Sequence, residues 1–207
     1  LEIGCAGGDA AAHLVRDNDY HITAIDISRE LIEEAQQEHS CSVQKGRLNF
    51  LCANAEELPF AAGSFAGIYS EAAFSPLTNK EKVIAEYGRL LKPGGRVLIN
   101  DFAILRNPDK FLREEVIHIP CFAGVETMES YCAMFEKAGF KTILCREEYG
   151  ELIRIAAWLC KVYKVSVREI GAYLSSYLNM NRPNCAVCRN DGRARGMFFD
   201  RAKVTYC

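Results

Sequence analysis

The chain has 207 residues, of which 49% are hydrophobic and 25% are charged, and its formal net charge is −2. This length suits one α/β domain with a single core, so we expect one domain over residues 1–207. The small net charge and the lack of any run of roughly 18 apolar residues argue against nucleic-acid and membrane partners.

The chain begins with Leu1 rather than Met, and we expect that a segment preceding Leu1 is missing. Ten cysteines are present, more than an average domain of this size contains. Cys5, Cys52, Cys145 and Cys160 lie inside apolar runs, where a free thiol behaves as a small hydrophobe. The pattern favours free thiols in a reducing, cytoplasmic protein over a disulfide framework.

Short apolar runs alternate with helical patterns along the first half of the chain. Predicted strands cover residues 1–5, 21–26, 48–52, 65–70 and 96–100. Predicted helices cover residues 10–17, a stretch after the second strand that ends at about residue 37, and a stretch from about residue 80. The Lys92-Pro93-Gly94-Gly95 segment should end the last helix, because proline cannot continue it. Strands separated by helices predict an α/β fold with a doubly wound, mostly parallel sheet.

The second half is less regular. Thr127 should cap a helix that Gly139 closes, and a strand is predicted over 140–145. Two further helices, over 151–163 and 167–180, could form a lid or the surface of a homodimer. Residues 181–196 are polar and contain four arginines, which favours a solvated loop. A final strand is predicted over 202–207.

The loop after the first strand contains Glu2, Gly4, Ala6 and Gly8 at alternate positions. Small residues at a strand-to-helix turn allow a sharp bend and close approach of a ligand. A dinucleotide-binding loop would need a small residue at position 9, but Asp9 places a carboxylate where a pyrophosphate would bind. The loop therefore suits a cationic sulfonium cofactor that lacks phosphate.

Two polar residues end the next strands. Asp26, followed by Ile27, is placed to accept hydrogen bonds from both hydroxyls of a ribose. Asn54 could hydrogen-bond an adenine edge, because its amide is both donor and acceptor. The alternative for Asn54 is a turn-forming residue at a strand end, and the alternative for the whole set is an α/β sheet with ordinary turns.

In this order and spacing, the motifs resemble those of class I (Rossmann-like) S-adenosylmethionine-dependent methyltransferases over about the first 100 residues. Residues 2–8 resemble the family's glycine-rich motif, Asp26 its ribose-binding acid, residues 54–56 its adenine segment, residues 58–60 and 63–65 its "LPF…SFD" stretch, and residues 90–95 its turn before the fifth strand. The resemblance implies S-adenosylmethionine as cofactor and methyl transfer to a small-molecule acceptor. The cofactor-binding residues that it implies are Glu2, Gly4, Cys5, Ala6, Gly8, Asp26, Ile27, Asn54, Ala55, Glu56 and Glu71.

The chain departs from that pattern at two positions. Ala6 replaces the usual middle glycine, which is tolerable only if its φ is negative. Asn54 replaces the usual aspartate, so it can bind adenine only without a charge-assisted hydrogen bond.

Candidates for catalytic residues are fewer. Glu71 ends the fourth strand and, with His118, is a candidate base if the acceptor must lose a proton. The alternative for Glu71 is a solvated carboxylate at a strand end. Cys121 lies in a segment that resembles the "C-x-G-G-A" segment of arsenite methyltransferases, where a thiolate binds trivalent arsenic. In this chain Ala11 stands where that family has an early cysteine, Cys207 could approximate the last thiol, and the alternative for Cys121 is a buried residue.

Two other interpretations remain open at this point. The protein could be an arsenite- or thiol-directed methyltransferase that uses Cys121, or a protein that binds the cofactor without catalysing transfer. The pair Cys185 and Cys188 could be half of a zinc site, but it has no second ligand pair. A surface loop is favoured there, and we expect no metal.

Overall fold

The structure is a computed structural model that describes residues 1–104, 124–147 and 199–206, together with positions 154, 157, 160, 161, 164 and 166. In these residues one sheet of seven strands is flanked by helices. The strands are β1 (Glu2–Ile3), β2 (Ile22–Asp26), β3 (Leu48–Cys52), β4 (Phe65–Glu71), β5 (Leu91–Ile104), β6 (Thr142–Glu147) and β7 (Phe199–Tyr206).

The strand order is β3-β2-β1-β4-β5-β7-β6. The first five strands pair in parallel, whereas β7 is antiparallel to both of its neighbours, β5 and β6. The chain order reverses at β1, with β2 on one side and β4 on the other. In open α/β sheets a ligand binds at the carboxyl ends of the strands beside such a reversal. The prediction of a doubly wound, mostly parallel sheet is confirmed.

The helices are α1 (Asp9–Asp17), α2 (Arg29–Glu38), α3 (Ser40–Gln44), α4 (Lys80–Leu90) and α5 (Met128–Lys137). Several of their starts are fixed by side-chain caps that sequence patterns also favour. Ser28 Oγ accepts a hydrogen bond from Leu31 N, and Thr127 Oγ1 accepts one from Ser130 N. The predicted cap at Thr127 is therefore confirmed.

The fifth strand differs from its prediction. The Lys92–Gly95 segment lies within β5 rather than between a helix and a strand. Pairing with β4 jumps from Phe65↔Leu91 to Gly67↔Arg96, so five residues of β5 span the same distance as two of β4. The extra length is a bulge, in which Gly94 has φ +76°. Helix α4 already ends at Leu90, before the proline.

The buried residues form two clusters. The larger cluster lies between the sheet and helices α4 and α5 and contains the fully buried Phe74, Tyr87 and Phe135. The smaller one packs α1 and α2 on β2 and β3 and includes Phe50 and Cys5. Two layers of helices thus cover the two faces of the sheet.

Several predictions lie outside the described residues. They concern the segment containing His118 and Cys121, the helix over 167–180, the loop over 181–196 with its Cys185–Cys188 pair, and Cys207. Positions 154, 157, 160 and 161 are helical, within the helix expected over 151–163. None of the helices in the described part of the chain is long and apolar enough to cross a membrane.

Candidate functional site

The strand registers bring the polar candidates to one edge of the sheet. Ile3 pairs with Ile25 on one side and with Ser70 on the other. Asp26 pairs with Cys52 in β3, and Glu71 pairs with Asn100 in β5. The residues that follow β1, β2, β3 and β4 therefore adjoin one another, as the parallel topology predicts.

The glycine-rich loop is a tight turn held by backbone hydrogen bonds. Gly4 N and Cys5 N both donate to Ile25 O, at 2.8 and 2.9 Å, and Gly8 N donates to Cys5 O at 2.8 Å. Gly4 has φ +73° and Gly8 has φ +81°, in the left-handed region that favours glycine. Gly8 then caps α1.

Neighbouring side chains also leave no room for a Cβ at Gly4 or at Gly8. A Cβ on Gly4 would lie 2.3 Å from Ala73 Cβ, and a Cβ on Gly8 would lie 2.4 Å from the ring of Phe50. Real Cβ atoms do not approach other heavy atoms so closely. The loop is thus pressed against β3 at one end and against the loop after β4 at the other.

The expectation for Ala6 is wrong. Its φ is +44° rather than negative. The conformation is held because Ala6 N donates to Asp26 Oδ2 at 3.0 Å, so the carboxylate that ends β2 fixes the middle of the glycine-rich loop. The left-handed region costs a residue with a Cβ roughly 1–2 kcal/mol. The loop therefore keeps the shape of its glycine-containing counterparts and carries strain at Ala6.

That strain leads to a prediction. Ala6→Gly should leave the free energy of unfolding unchanged or raise it slightly, because relief of strain offsets the greater flexibility of glycine in the unfolded chain. Ala12→Gly, within α1, is the control and should cost about 1 kcal/mol. Urea denaturation measures both changes. An Ala6→Gly variant that loses as much as Ala12→Gly would contradict a positive φ at Ala6.

Asp26 connects two loops. Besides Ala6 N, its carboxylate accepts a hydrogen bond from Ser28 N at 2.9 Å, on Oδ1. Each carboxylate oxygen can accept more than one hydrogen bond, so both oxygens keep capacity for ribose hydroxyls. The next side chain, Ile27, is 74% exposed. An exposed isoleucine beside a carboxylate gives an apolar surface on which a flat base can pack.

Asn54 forms a turn after β3, as expected if it is a turn-forming residue at a strand end. Its Oδ1 accepts a hydrogen bond from Glu56 N at 2.9 Å, while the side chain remains exposed. Ala55 is buried in the larger core cluster, so its side chain is not available to a ligand. The Glu56 carboxylate lies 4.0 Å from Lys82 Nζ on α4. Within this segment the Asn54 amide and the Ala55 backbone are thus better placed for a ligand than Glu56.

Glu2 is a buried carboxylate, 2% exposed. Burial raises its pKa to about 7, and the nearby charges of Glu71 and Asp26 raise it further, whereas the Tyr69 hydroxyl lowers it. Neither Glu2 Oε2 nor the Tyr69 hydroxyl has a hydrogen-bond partner of regular geometry among the described residues. A buried carboxylate without such a partner costs free energy, which a cationic ligand would offset.

Cys5 contributes its backbone to the site. Its side chain is buried, and burial raises the pKa of its thiol to about 12. The thiol is protonated and inert at neutral pH, as expected for a small apolar residue. Cys5, Cys52, Cys145 and Cys160 are all free thiols.

Glu71 lies at the other end of the site. Its carboxylate is exposed and accepts a hydrogen bond from Asn100 Nδ2 at 3.3 Å. The next residue, Ala72, has φ +51°, a second strained position. Strained residues cluster at functional sites. His118 and Cys121, the other two catalytic candidates, lie outside the described residues.

The sequence interpretation missed two supports of this site. His39, at the end of α2, contacts the glycine-rich loop through Nε2, which lies 3.0 Å from Gly7 O and 3.5 Å from Asp9 Oδ1. Asp101, in β5, is a buried carboxylate that binds the loop after β4. Asp101 had a partial sequence signal, since it directly follows the strand predicted over 96–100, whereas His39 had none.

The residues present fit S-adenosylmethionine. A glycine-rich turn with two left-handed glycines allows close approach of a ligand to the backbone. The carboxylate at the end of β2 suits a ribose, and the buried Glu2 carboxylate suits a cation. The side chain of Asp9, 90% exposed at the start of α1, would meet a pyrophosphate with its negative charge. The geometry therefore favours a cationic cofactor without phosphate over a dinucleotide.

Comparison with known proteins agrees with this fit. Residues 1–99 match the family described as "Methyltransferase domain". An O-methyltransferase of Aspergillus nomiae is 32% identical over 147 residues, which are 69% of this chain and 64% of that protein. An O-methyltransferase of Aspergillus sclerotiorum is 29% identical over 147 residues, 69% of this chain and 54% of that protein. The chain thus spans less than two thirds of these relatives.

A solved structure from Streptomyces coelicolor has the same fold. It is a geranyl diphosphate C-methyltransferase with S-adenosyl-L-homocysteine bound, and it superposes with a TM-score of 0.75 at 11% identity, covering 99% of this chain and 70% of that one. At such identity the likeness shows the fold alone. With the sheet order and the loop geometry, the match over residues 1–99 makes this part of the chain similar to the class I (Rossmann-like) S-adenosylmethionine-dependent methyltransferases.

Proposed function

We propose that this protein transfers a methyl group from S-adenosylmethionine to an oxygen atom of a small-molecule acceptor. The observation that carries the proposal is the buried Glu2 carboxylate, which lies in β1 two residues before Gly4 and whose pKa burial raises to about 7. A cofactor with a sulfonium and an ammonium group supplies the positive charge that such a carboxylate lacks. The oxygen acceptor is supported by the names of the relatives, which are O-methyltransferases.

Each part of the cofactor has a proposed partner. Glu2 would favour the cationic methionine end, and Gly4, Cys5, Ala6 and Gly8 would pass their backbone beneath it. Asp26 would accept the ribose hydroxyls, with Ile27 packing on the base. The Asn54 amide and the Ala55 backbone would meet the adenine edge. Glu56 is the weakest member of the set, because its carboxylate lies beside Lys82.

The cofactor supplies an activated methyl group for an in-line displacement. The protein then has to align the acceptor oxygen with that methyl group and exclude water. Glu71, at the end of β4, would hold or remove the acceptor's proton, and Asn100 fixes the direction of its carboxylate. We keep His118 as a second proposed base. Cys121 belongs to the proposed thiol-directed alternative.

The remaining expectations also stay proposals. The free thiols support a reducing, cytoplasmic setting. We also retain one methyltransferase domain over residues 1–207, a lid or dimer surface over 151–180, and a small-molecule partner rather than a nucleic acid.

Calorimetry with S-adenosylmethionine and S-adenosylhomocysteine tests the cofactor. We expect wild type to bind both, and Asp26→Ala to weaken binding by roughly 10- to 100-fold because buried hydrogen bonds to the ribose are lost. Tyr20→Ala, at an exposed residue of the loop before β2, is the control. Failure of wild type to bind either compound would overturn the assignment.

Methyl transfer itself is tested with radiolabelled cofactor and a panel of hydroxylated, thiol and arsenite acceptors. We expect the radiolabelled methyl group to appear in the product of a hydroxylated acceptor and no labelled product when arsenite is the acceptor. Cys121→Ser should then leave turnover unchanged. Cofactor binding without label in any product would favour a non-catalytic binding protein.

A further inference from the structure

The loop between β4 and α4 is bound from one side by a buried carboxylate. Asp101, in β5, is 2% exposed. Its Oδ2 accepts hydrogen bonds from Phe74 N at 2.7 Å and from Ser75 N at 2.9 Å, and its Oδ1 accepts one from Phe102 N at 2.7 Å. Burial raises the pKa of Asp101 and these hydrogen bonds lower it. Hydrogen bonds to an ionised carboxylate are stronger than hydrogen bonds between neutral groups.

The same loop is also bound by an ammonium group. Lys80, the first residue of α4, donates through Nζ to Ser75 O at 2.7 Å and to Leu77 O at 2.9 Å. The carboxylate thus takes the loop's N–H groups, while the lysine takes its carbonyl groups. The lysine is partly buried, and a Cβ on Gly124 would lie only 2.9 Å from its Nζ.

The loop so held forms a wall of the candidate site. Ala73 Cβ occupies the space beside Gly4, so the loop lies directly against the glycine-rich turn. Ala72 is strained, and its N–H donates to Asn100 O at 2.8 Å. Phe74 is fully buried against the rings of Tyr131 and Phe135. Moving the loop would shift Ala73 away from Gly4 and change the direction of Glu71.

We propose that Asp101 and Lys80 are positioning residues for methyl transfer, which together fix the loop of residues 72–77 between the cofactor turn and Glu71. The proposal rests on the proposed function, because it assigns the loop a part in that reaction. The proposed role concerns the reaction as well as the stability of the fold, because the two charges act on the backbone of the segment that borders both the cofactor and the acceptor.

Three variants distinguish the effect of the Asp101 and Lys80 charges from a general loss of core packing. Asp101→Ala removes both acceptors, whereas Asp101→Asn can still accept the Phe74 and Ser75 N–H groups on one oxygen and should partly rescue the loop. Lys80→Met removes the donors but keeps an unbranched chain. Leu90→Ala is the control, because it truncates a fully buried residue at the far end of the same helix.

Steady-state kinetics and calorimetry with S-adenosylhomocysteine are then compared at a temperature where every variant is folded. We expect kcat of Asp101→Ala to fall by up to about 100-fold through misplacement, that of Lys80→Met to fall less, and Asp101→Asn to lie between Asp101→Ala and wild type. KM for the cofactor should rise less than kcat falls. Leu90→Ala should lose stability with kcat and KM unchanged.

Amide hydrogen exchange of Phe74 and Ser75 gives a second measurement that needs no cofactor. Both amides should exchange faster than in wild type in Asp101→Ala and Lys80→Met. In Leu90→Ala their exchange rates should equal those of wild type. Unchanged exchange, or kinetics of Asp101→Ala that resemble those of Leu90→Ala, would overturn the positioning role. Wild type that binds no S-adenosylhomocysteine would instead refute the proposed function, and the exchange rates alone would then decide whether the loop is anchored.

Discussion

Gly4→Ala is expected to abolish tight cofactor binding and to lower the free energy of unfolding by roughly 2–5 kcal/mol. Two separate effects add. The new side chain is strained at φ +73°, and its Cβ falls 2.3 Å from Ala73 Cβ, a contact that neither residue can relieve by rotating a side chain. The glycine-rich loop and the loop after β4 must therefore separate. Calorimetry with S-adenosylhomocysteine and urea denaturation measure the two losses.

The chain offers a matched control and a rescue for this variant. Gly7 lies in the same loop without a positive φ, and a Cβ there would meet nothing within 4 Å, so Gly7→Ala should keep the stability of wild type. Ala73→Gly, added to Gly4→Ala, removes the clash but leaves the backbone strain and should restore part of both losses. A double variant no better than Gly4→Ala would mean that the two loops do not touch in solution.

Glu2→Gln is expected to stabilise the ligand-free protein and to weaken cofactor binding. The pKa of Glu2 is about 7 in the folded chain, against 4.5 for an unperturbed glutamate. Because the folded pKa is the higher one, ionisation destabilises the fold progressively as pH rises from about 4.5 to 7, by up to about 3 kcal/mol above that range. A neutral isostere removes this cost. Thermal unfolding of both proteins at pH 4.5 and pH 8 should show a difference only at pH 8.

Cofactor binding should have the opposite dependence on Glu2. If the ionised carboxylate binds the cationic end, wild-type affinity should rise about tenfold between pH 6 and pH 8, as Glu2 loses its proton. Calorimetry in buffers of different ionisation enthalpy should reveal release of a proton on binding at pH 6. Glu2→Gln should bind weakly at both pH values. A variant that binds as tightly as wild type at pH 8 would exclude Glu2 from cofactor recognition.

Much of the fold could be predicted because its signals are local. Apolar runs, caps and turn residues each depend on a few neighbouring positions, and most strands and helices up to α4 fall within one or two residues of their predicted bounds. The position of Asp26 also followed from a local rule, since a carboxylate that ends a buried strand reaches the open edge of a parallel sheet. Asp101 does not follow this rule, because β5 continues beyond it to Ile104.

What the sequence could not provide depends on contacts between distant segments. The positive φ of Ala6 is held by Asp26, twenty residues away, and the raised pKa of Glu2 results from burial in the assembled sheet. His39 contacts the glycine-rich loop from the end of α2, where nothing in its own neighbourhood signals that role. The bulge in β5 required the register with β4. Each is a property of packing, which local patterns do not encode.

The placement of β7 has a consequence for the order of folding. This strand lies between β5 and β6, although it follows both along the chain. During synthesis β5 and β6 emerge first, and neither can complete its hydrogen bonding until residues 199–206 leave the ribosome. Two open strand edges of this kind invite pairing with other chains. A nascent chain stopped before residue 199 should therefore aggregate more readily than the finished one, which cosedimentation of stalled ribosome complexes would measure.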